Sequence, residues 1–269
     1  MSKVEVLCAT MHQTDFKKIG EMNIQSDVVY ANQADRTGYD ETAVGEYHAR
    51  MITTDTRGVG VNRNLALLYA RGEYLLFSDD DLQYVDGYAE IIEEAFSKIP
   101  KADCIIFNIE TVGSDIKRRV NGKIKRVRFY NALNYGTARV AVKRVSVKRE
   151  GIMFNTNFGG GTPFSCGEDT LYIVEMLKKG LKLYTYPQTS AVVDQSQSTW
   201  FKGFNEKYYY DKGVLYASIS KGFFHFLCLQ NLLRHPDYKK SGMTFWKAYR
   251  YMKKGKKARA EMHPYDAKA

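Results

Sequence analysis

The 269-residue chain has four cysteines and five histidines, and none is arranged for metal or disulfide chemistry. Cys8, Cys104, Cys166 and Cys228 are far apart, with no CxxC pair and no histidine at ligand spacing, so neither a zinc site nor a disulfide framework is indicated. Reduced thiols are the expectation. No uninterrupted apolar stretch is long enough to span a bilayer. The most apolar late segment, 213–233, is broken by Lys221, His225 and Gln230 and reads as helical core or an interfacial face. Nor is there a secretory signal pattern, since Met1-Ser2-Lys3 leads directly into a strand-like run and then polar Thr10 and His12. A soluble or peripheral, cytoplasmic protein is expected, perched at most on the inner face of the cell membrane.

What the chain does have is positive charge. A formal net charge of +10 and a pI near 9.2 imply affinity for something anionic: nucleotide phosphates, an acidic polymer, nucleic acid or a membrane surface. Charge does not choose among them. With 44% hydrophobic and 26% charged residues, the chain is able to bury a full core in one large domain with a smaller appended element.

Strands alternate with helices through the first hundred residues, the pattern of a mostly parallel sheet covered on both faces. Residues 4–9 predict a first strand, 15–22 a helix, 27–31 a second strand and 51–54 a short third, while 32–50 is polar and undetermined. Val61, Leu65, Leu68 and Tyr69 fall on one helical face, Gly72 supplies a left-handed stop, and Tyr74 to Phe77 predict the next strand. Asp86 is read as the N-cap of a helix running to about Ile99, and 104–109 as another buried strand. Basic residues then crowd around Asn121-Gly122, read as a two-residue hairpin whose charges form either a solvated edge or an anion-binding surface. Residues 138–147 predict an alternating strand. A glycine run, Gly159-Gly160-Gly161, precedes a helix from Gly167-Glu168-Asp169-Thr170 to Lys179, closed by Gly180.

Three adjacent carboxylates, Asp79-Asp80-Asp81, follow the predicted strand 74–77. They repel one another and resist desolvation, so they make sense where a divalent cation or a hydrogen-bonded ligand neutralises them. The carboxyl end of a strand in an open α/β sheet is also where ligands bind. Glu168 and Asp169 at a helix start suit the helix macrodipole, but the preceding glycines also let backbone approach a ligand closely.

The ordered set 56–64 (with Arg63-Asn64), 70–81 (with Gly72-Glu73-Tyr74 and the acidic triplet) and Gly167-Glu168-Asp169-Thr170 resembles the family 2 glycosyltransferases of GT-A fold, of the bacterial polysaccharide-biosynthesis type. The resemblance implies a Rossmann-like α/β fold: a mostly parallel central sheet flanked by helices, with a catalytic domain over 1–200 and a helical, basic-aromatic extension over 201–269. It further implies an inverting, metal-dependent transfer of one sugar from a nucleoside-diphosphate sugar, a UDP-sugar, to a glycan or lipid-linked acceptor in surface polysaccharide synthesis. Asp79 and Asp81 match the acids that hold Mn²⁺ or Mg²⁺, with Asp79 or Asp80 near the ribose. Asp169 matches the catalytic base, with Glu168 supporting or contacting the acceptor. Ala9, Thr10 and Met11 match the wall of the nucleoside pocket, Asn32 and Asp35 its base edge; Asn32 stands where the family usually has an acid. Arg63 either approaches the nucleotide or forms a structural salt bridge beneath the site.

Trp200 lies where processive members carry a QxxRW motif, and that motif is absent, which favours one sugar per encounter. Trp200 and Tyr208-Tyr209-Tyr210 read either as core or as sugar-stacking rings. The basic, aromatic stretch 245–259 suits an anionic membrane surface, or alternatively a solvated terminal helix. Two competing functions are a nucleic-acid-binding module, which leaves both acidic motifs unexplained, and a metal-dependent nucleotidyltransferase. No nucleic-acid partner is expected.

Overall fold

A computed structural model describes residues 3–113, 120–194 and 203–261, apart from the side chains of 260 and 261. The strands are β1 (Val4–Met11), β2 (Asp27–Gln33), β3 (Gly38–Val44), β4 (Tyr47–Thr54), β5 (Tyr74–Asp79), β6 (Leu82–Tyr84), β7 (Cys104–Val112), β8 (Lys125–Arg126), β9 (Val140–Lys143) and β10 (Leu183–Asp194). The helices are α1 (Lys18–Glu21), α2 (Val59–Tyr69), α3 (Tyr88–Lys98), α4 (Arg144–Glu150), α5 (Glu168–Lys178), α6 (Glu206–Ile219), α7 (Phe224–Arg234) and α8 (Phe245–Glu261).

The strands join in one sheet, ordered β3-β4-β2-β1-β5-β9-β7-β10-β6, with β8 beside β10. Strands β4, β2, β1 and β5 run parallel, as do β7 and β10, while β3, β6, β8 and β9 run antiparallel to their neighbours. Alternation along β1 sends Val4, Val6 and Cys8 to one face and Leu7 to the other. Helix α3 covers the first face with Tyr88, Ile92, Ala95 and Phe96, and α2 and α5 cover the second with Ala66, Leu67, Tyr172, Ile173 and Met176. This is the α/β sheet with flanking helices that the sequence predicts.

The chain passes from β1 to β2 and β4 on one side, then returns to place β5 on β1's other side. Strand order therefore reverses between β1 and β5, and the crevice outside their carboxyl ends is the position where open α/β sheets take ligands. Register lines up Ala9 with Asp79, Thr10 with Asn32 and Gln33 with Thr54, so these residues share that edge.

Several local readings change. In α2 the buried residues are Gly60, Asn62, Arg63, Ala66 and Leu67, while Leu68 and Tyr69 are exposed. The helix is rotated from its apolar stripe because two polar side chains, Asn62 and Arg63, are drawn into the crevice. Gly72 is not a left-handed stop. A Cβ there would stand 2.6 Å from the Cβ of Glu5, so glycine serves close approach to β1. Asp86 does not cap α3, whose N-cap is Gly87 in the left-handed region; it accepts from Asn23 Nδ2 (2.8 Å) and Gln25 Nε2 (2.9 Å). Asn121-Gly122 is not a hairpin tip either. Asn121 is buried, its backbone N–H donating to Asn108 Oδ1 (2.7 Å) and its amide to Ile106 O (3.2 Å). Lys117, Arg118 and Arg119 lie outside the described residues, as does Trp200. The strand predicted over 138–147 is short β9 followed by α4, the helix predicted over 15–22 is the single turn α1, and the polar stretch 32–50 supplies the β3–β4 hairpin.

Helices α6, α7 and α8 share a third core with Phe158 and Phe164 of the glycine-rich loop. Helices α6 and α8 cross at a glycine notch: a Cβ on Gly213 would stand 2.1 Å from Met252 O, and one on Gly255 2.2 Å from Tyr210 O. Phe245, Tyr249 and Tyr251 of α8 pack against this core, leaving Trp246 exposed. The boundary expected at residue 200 falls outside the described residues. Among the described residues no helix is long and apolar enough to cross a membrane.

Candidate active site

The site is built around Arg63. Gly58, with φ of 109°, turns the chain into α2, and the first turn presses so closely on the segment 154–156 that a Cβ on Gly60 would meet Asn155 O at 2.7 Å. Asn64 clamps that segment from both sides, donating to Phe154 O (2.9 Å) and accepting from Phe154 N–H (2.7 Å). The Phe154 ring thereby lies under the Arg63 guanidinium, 5.4 Å from ring centre to Cζ. Tyr172 stacks on Phe154 at 4.0 Å, and Phe77 meets both rings edge-on. An aromatic floor thus fixes a buried cation.

Above that floor Arg63 reaches three carboxylates from two elements. Nη2 bonds Asp79 Oδ1 at the end of β5 (2.8 Å), and Nη1 bonds Asp169 Oδ1 (2.7 Å) and Glu168 Oε1 (3.3 Å) at the start of α5. The arginine side chain is 4% exposed, whereas Glu168, Asp169 and Asp79 are 13%, 31% and 41% exposed. The carboxylates therefore grade from protein interior toward solvent. Burial works against the arginine's charge, but Asp79, Asp169 and Glu168 outweigh it and hold its pKa above the ordinary value. Glu168 moves the other way for a carboxylate. Burial first, and the neighbouring Asp169 second, push it up to about 7 against the pull of Arg63.

Two glycines make room for this cluster. A Cβ on Gly159 would stand 2.7 Å from Glu168 Cδ, and one on Gly136 would stand 3.0 Å from Asp169 Oδ2. Thr137, in a short 3-10 turn, donates its hydroxyl to Asp169 Oδ1. Sequence reasoning missed Thr137 and Phe154, because a lone threonine or phenylalanine carries no motif, and it marked Asn64 only as part of the Arg63-Asn64 pair, whose second member takes its role once segment 154–156 is folded against α2.

On the other side of the crevice, Thr10 donates to Asp80 Oδ2 (2.5 Å), and Asn62 Nδ2 donates to Thr10 O (3.1 Å). Arg63 Nε and Asn62 Oδ1 are buried without a hydrogen-bond partner among the described residues. Ala9 is buried and Met11 half-exposed at the strand end. Asn32 is fully buried, its Oδ1 accepting from Gln13 N–H (3.0 Å) and its Nδ2 donating to Gln13 O (2.9 Å) and Thr53 Oγ1 (3.1 Å). It fastens the loop after β1. Asp35 stands at the exposed rim in an ion pair with Arg57, whose Nη1 also donates to Asp55 O (2.9 Å). The fold thus gathers Thr10, Arg63, Asp79, Asp80, Glu168 and Asp169 around one crevice, with Asn32 behind its wall and Asp35 on its rim.

Among the described residues no group of three or more histidine, cysteine, aspartate or glutamate side chains is disposed to enclose a metal ion. The donor set that is present consists of hard carboxylate oxygens, with Asp81 exposed beside the partly exposed Asp79. One or two carboxylates with open positions fit Mg²⁺ or Mn²⁺ that shares its coordination with substrate phosphates, not a closed all-protein cage.

Comparison with known proteins agrees with this architecture. No curated protein matches the chain by sequence. Among solved structures, S. aureus TarS 1-349 in complex with UDP-GlcNAc superposes with a TM-score of 0.57 at 13% identity, over 79% of this chain and 65% of that one. The complex of the same S. aureus fragment with UDP gives 0.56 at 13% identity, over 85% and 65%. A longer S. aureus TarS gives 0.57 at 13%, over 86% and 43%. The chain thus spans less than two thirds of the length of these relatives, and at such identity the likeness is one of fold. Residues 28–181, more than half of the chain, match the model described as glycosyl transferase family 2. With that match running from β2 through α5, across both acidic motifs and the arginine that joins them, the chain belongs to glycosyl transferase family 2 and is a glycosyltransferase.

Proposed function

We propose that this enzyme moves one sugar from a UDP-sugar to a hydroxyl of a glycan or lipid-linked acceptor, with inversion at the anomeric carbon. The observation that carries the reading is the shared guanidinium: Asp79 and Asp169 bind opposite nitrogens of Arg63, at 2.8 and 2.7 Å. A donor-side carboxylate and a candidate base are thereby held a single side-chain group apart.

In this reading Ala9, Thr10 and Met11 line the nucleoside, Asn32 acts through the loop it fastens, Asp35 meets the base at the rim, and Asp80 and Asp79 stand near the ribose and phosphates. Asp79 and Asp81 would hold Mn²⁺ or Mg²⁺, which supplies positive charge against the charge developing on the leaving diphosphate. Asp169 Oδ accepts the acceptor's hydroxyl proton as that oxygen bonds to the anomeric carbon and the diphosphate departs with the electron pair of the broken bond. Arg63 and Thr137 position Asp169 for that transfer, and Glu168 borders the acceptor. Asp169→Asn is expected to lower turnover by about 10²–10⁴-fold, with UDP-GlcNAc affinity within about threefold of the parent protein. Parallel loss of affinity and turnover, read by calorimetry and UDP release, would remove Asp169 from the role of base.

We assign residues 201–269 as an extension of a 1–200 catalytic unit, a division supported by the separate core that α6, α7 and α8 form, and we place the enzyme on the cytoplasmic face of the membrane, serving surface polysaccharide synthesis. Support for that placement comes from exposed Trp246, Phe223, Phe226 and Leu233 beside the basic α8.

A further inference from the structure

A cavity of about 250 Å³ opens where the catalytic unit meets the C-terminal helices, small for a ligand pocket but within reach of a sugar unit. Its walls include Asn134 and Thr170 on one side and Lys212, Tyr216 and Arg234 on the other. Asn134 lies two residues before Gly136, and Thr170 follows Asp169, so the two segments that crowd Asp169 continue directly into the cavity wall. Gly167 holds the junction closed: a Cβ there would stand 2.9 Å from Leu215 of α6.

The charge in this cavity is unbalanced in the sense opposite to the crevice. Lys212 projects from α6 over the Tyr208 ring (5.5 Å) and Arg234 ends α7. Asp237 also lines the cavity but is paired with Lys240 (2.7 Å), and Asp211, beside Lys212 in the chain, is held by Lys207 (2.7 Å). Two cations, one carboxylate already paired with a lysine, side-chain amides and tyrosine rings therefore line a space whose wall includes Thr170, the residue after Asp169. Tyrosines suit the apolar face of a sugar, and the cations suit an anionic substituent on it.

We infer that this cavity is the acceptor subsite and that Lys212 and Arg234 select an acceptor glycan carrying a negative charge, either a phosphate or a uronic carboxylate. The inference rests on the reading of Asp169 as the base, since that residue makes the neighbouring cavity the place from which an acceptor hydroxyl arrives. It also assigns a role to the C-terminal helices, which supply both cations to a catalytic unit that supplies the carboxylates.

The test compares three oligosaccharides of equal length: neutral maltotetraose, maltotetraose bearing one 6-phosphate, and tetragalacturonate. Binding to the intact protein is measured by calorimetry at low and physiological salt, with UDP-GlcNAc and UDP affinities measured on the same preparations. The expected result is that at least one anionic probe binds about tenfold more tightly than the neutral one, and that salt reduces the advantage. Preference for the phosphate or for the uronate identifies the source of the charge. Lys212→Gln combined with Arg234→Gln should bring the anionic probes to the neutral value. Equal binding of all three probes by the unmodified protein overturns the inference without recourse to any variant, as does a preference that survives in a folded double variant. Anionic preference without binding of either UDP-GlcNAc or UDP would support the subsite while sinking the UDP-donor reading. UDP-GlcNAc binding without anionic preference would do the reverse.

Discussion

Two buried arginines lie at opposite ends of the same parallel strands, and they are partnered differently. Arg50 of β4 pairs with Glu5 of β1 and donates to Tyr69 O (2.7 Å), while Glu5 Oε2 accepts the backbone N–H groups of Arg71 (2.6 Å) and Gly72 (2.8 Å). Here one cation meets one anion, both almost wholly buried, and the pair ties the α2–β5 turn to the sheet. Arg63 instead faces three carboxylates of graded exposure, and its Nε has no partner among the described residues. A balanced pair compensates its own desolvation within the protein. An unbalanced cluster is completed from outside, by a proton, a cation or a ligand, and on that ground we propose Arg63 as the functional one of the two.

The largest expected effect tests that contrast directly. Glu5→Gln strands the Arg50 charge in the interior and should cost about 3–5 kcal/mol, read by urea unfolding, with activity per folded molecule retained. Arg63→Gln should cost less, about 1–3 kcal/mol, because Asp79 and Asp169 are partly solvated and Glu168 is able to take up a proton. Its turnover should nevertheless collapse. Equal stability losses, or a catalytically normal Arg63→Gln protein, would break the comparison.

A second test uses pH. The folded protein holds the Glu168 proton to about 7, above the ordinary 4.5 of the unfolded chain. Stability from this group is therefore complete below about pH 4.5 and is lost as pH rises through about 7, the folded state binding more protons in between. Glu168→Gln, which cannot ionise, should remove that slope and should stabilise the protein modestly at pH 8 relative to the parent. Glu5→Gln leaves the same slope in place. Unfolding free energies at pH 5, 6, 7 and 8 decide it, and an unchanged slope in Glu168→Gln would detach the carboxyl from the titration.

The contrast also marks how far the sequence could be read. The acidic triplet and Glu168-Asp169 stand out because carboxylates at strand and helix ends are local signals, and the two predicted strands 4–9 and 74–77 appear as β1 and β5. The partners of those acids are not local. Arg63 reaches Asp79 sixteen positions away and Asp169 across more than a hundred, so only the folded chain distinguishes its cluster from the Arg50 pair. The same cause misorients α2 in a periodicity analysis: Asn62 and Arg63 are buried for their hydrogen bonds, which hydropathy scores against burial. Asn121 fails similarly, since an Asn-Gly pair signals a turn and gives no hint of Asn108 as a buried partner.

The smallest expected effect concerns the cation alone. If the excess negative charge beside Arg63 is completed in part by a divalent ion, Mn²⁺ without nucleotide should bind weakly, because Asp79 and Asp81 offer few ligands until phosphates contribute the rest. At about ten times its dissociation constant such an ion adds about 1.4 kcal/mol, a rise of roughly 2–4 °C per kcal/mol in a chain of this size. Asp81→Asn should abolish the rise, since Asp81 is the exposed member of the triplet, and Glu5→Gln should preserve it at a lower starting Tm. A rise that survives Asp81→Asn and Asp79→Asn places the ion elsewhere on the protein. The imbalance at Arg63 would then be met by the Glu168 proton and the incoming substrate, leaving the divalent ion no part in completing the cluster.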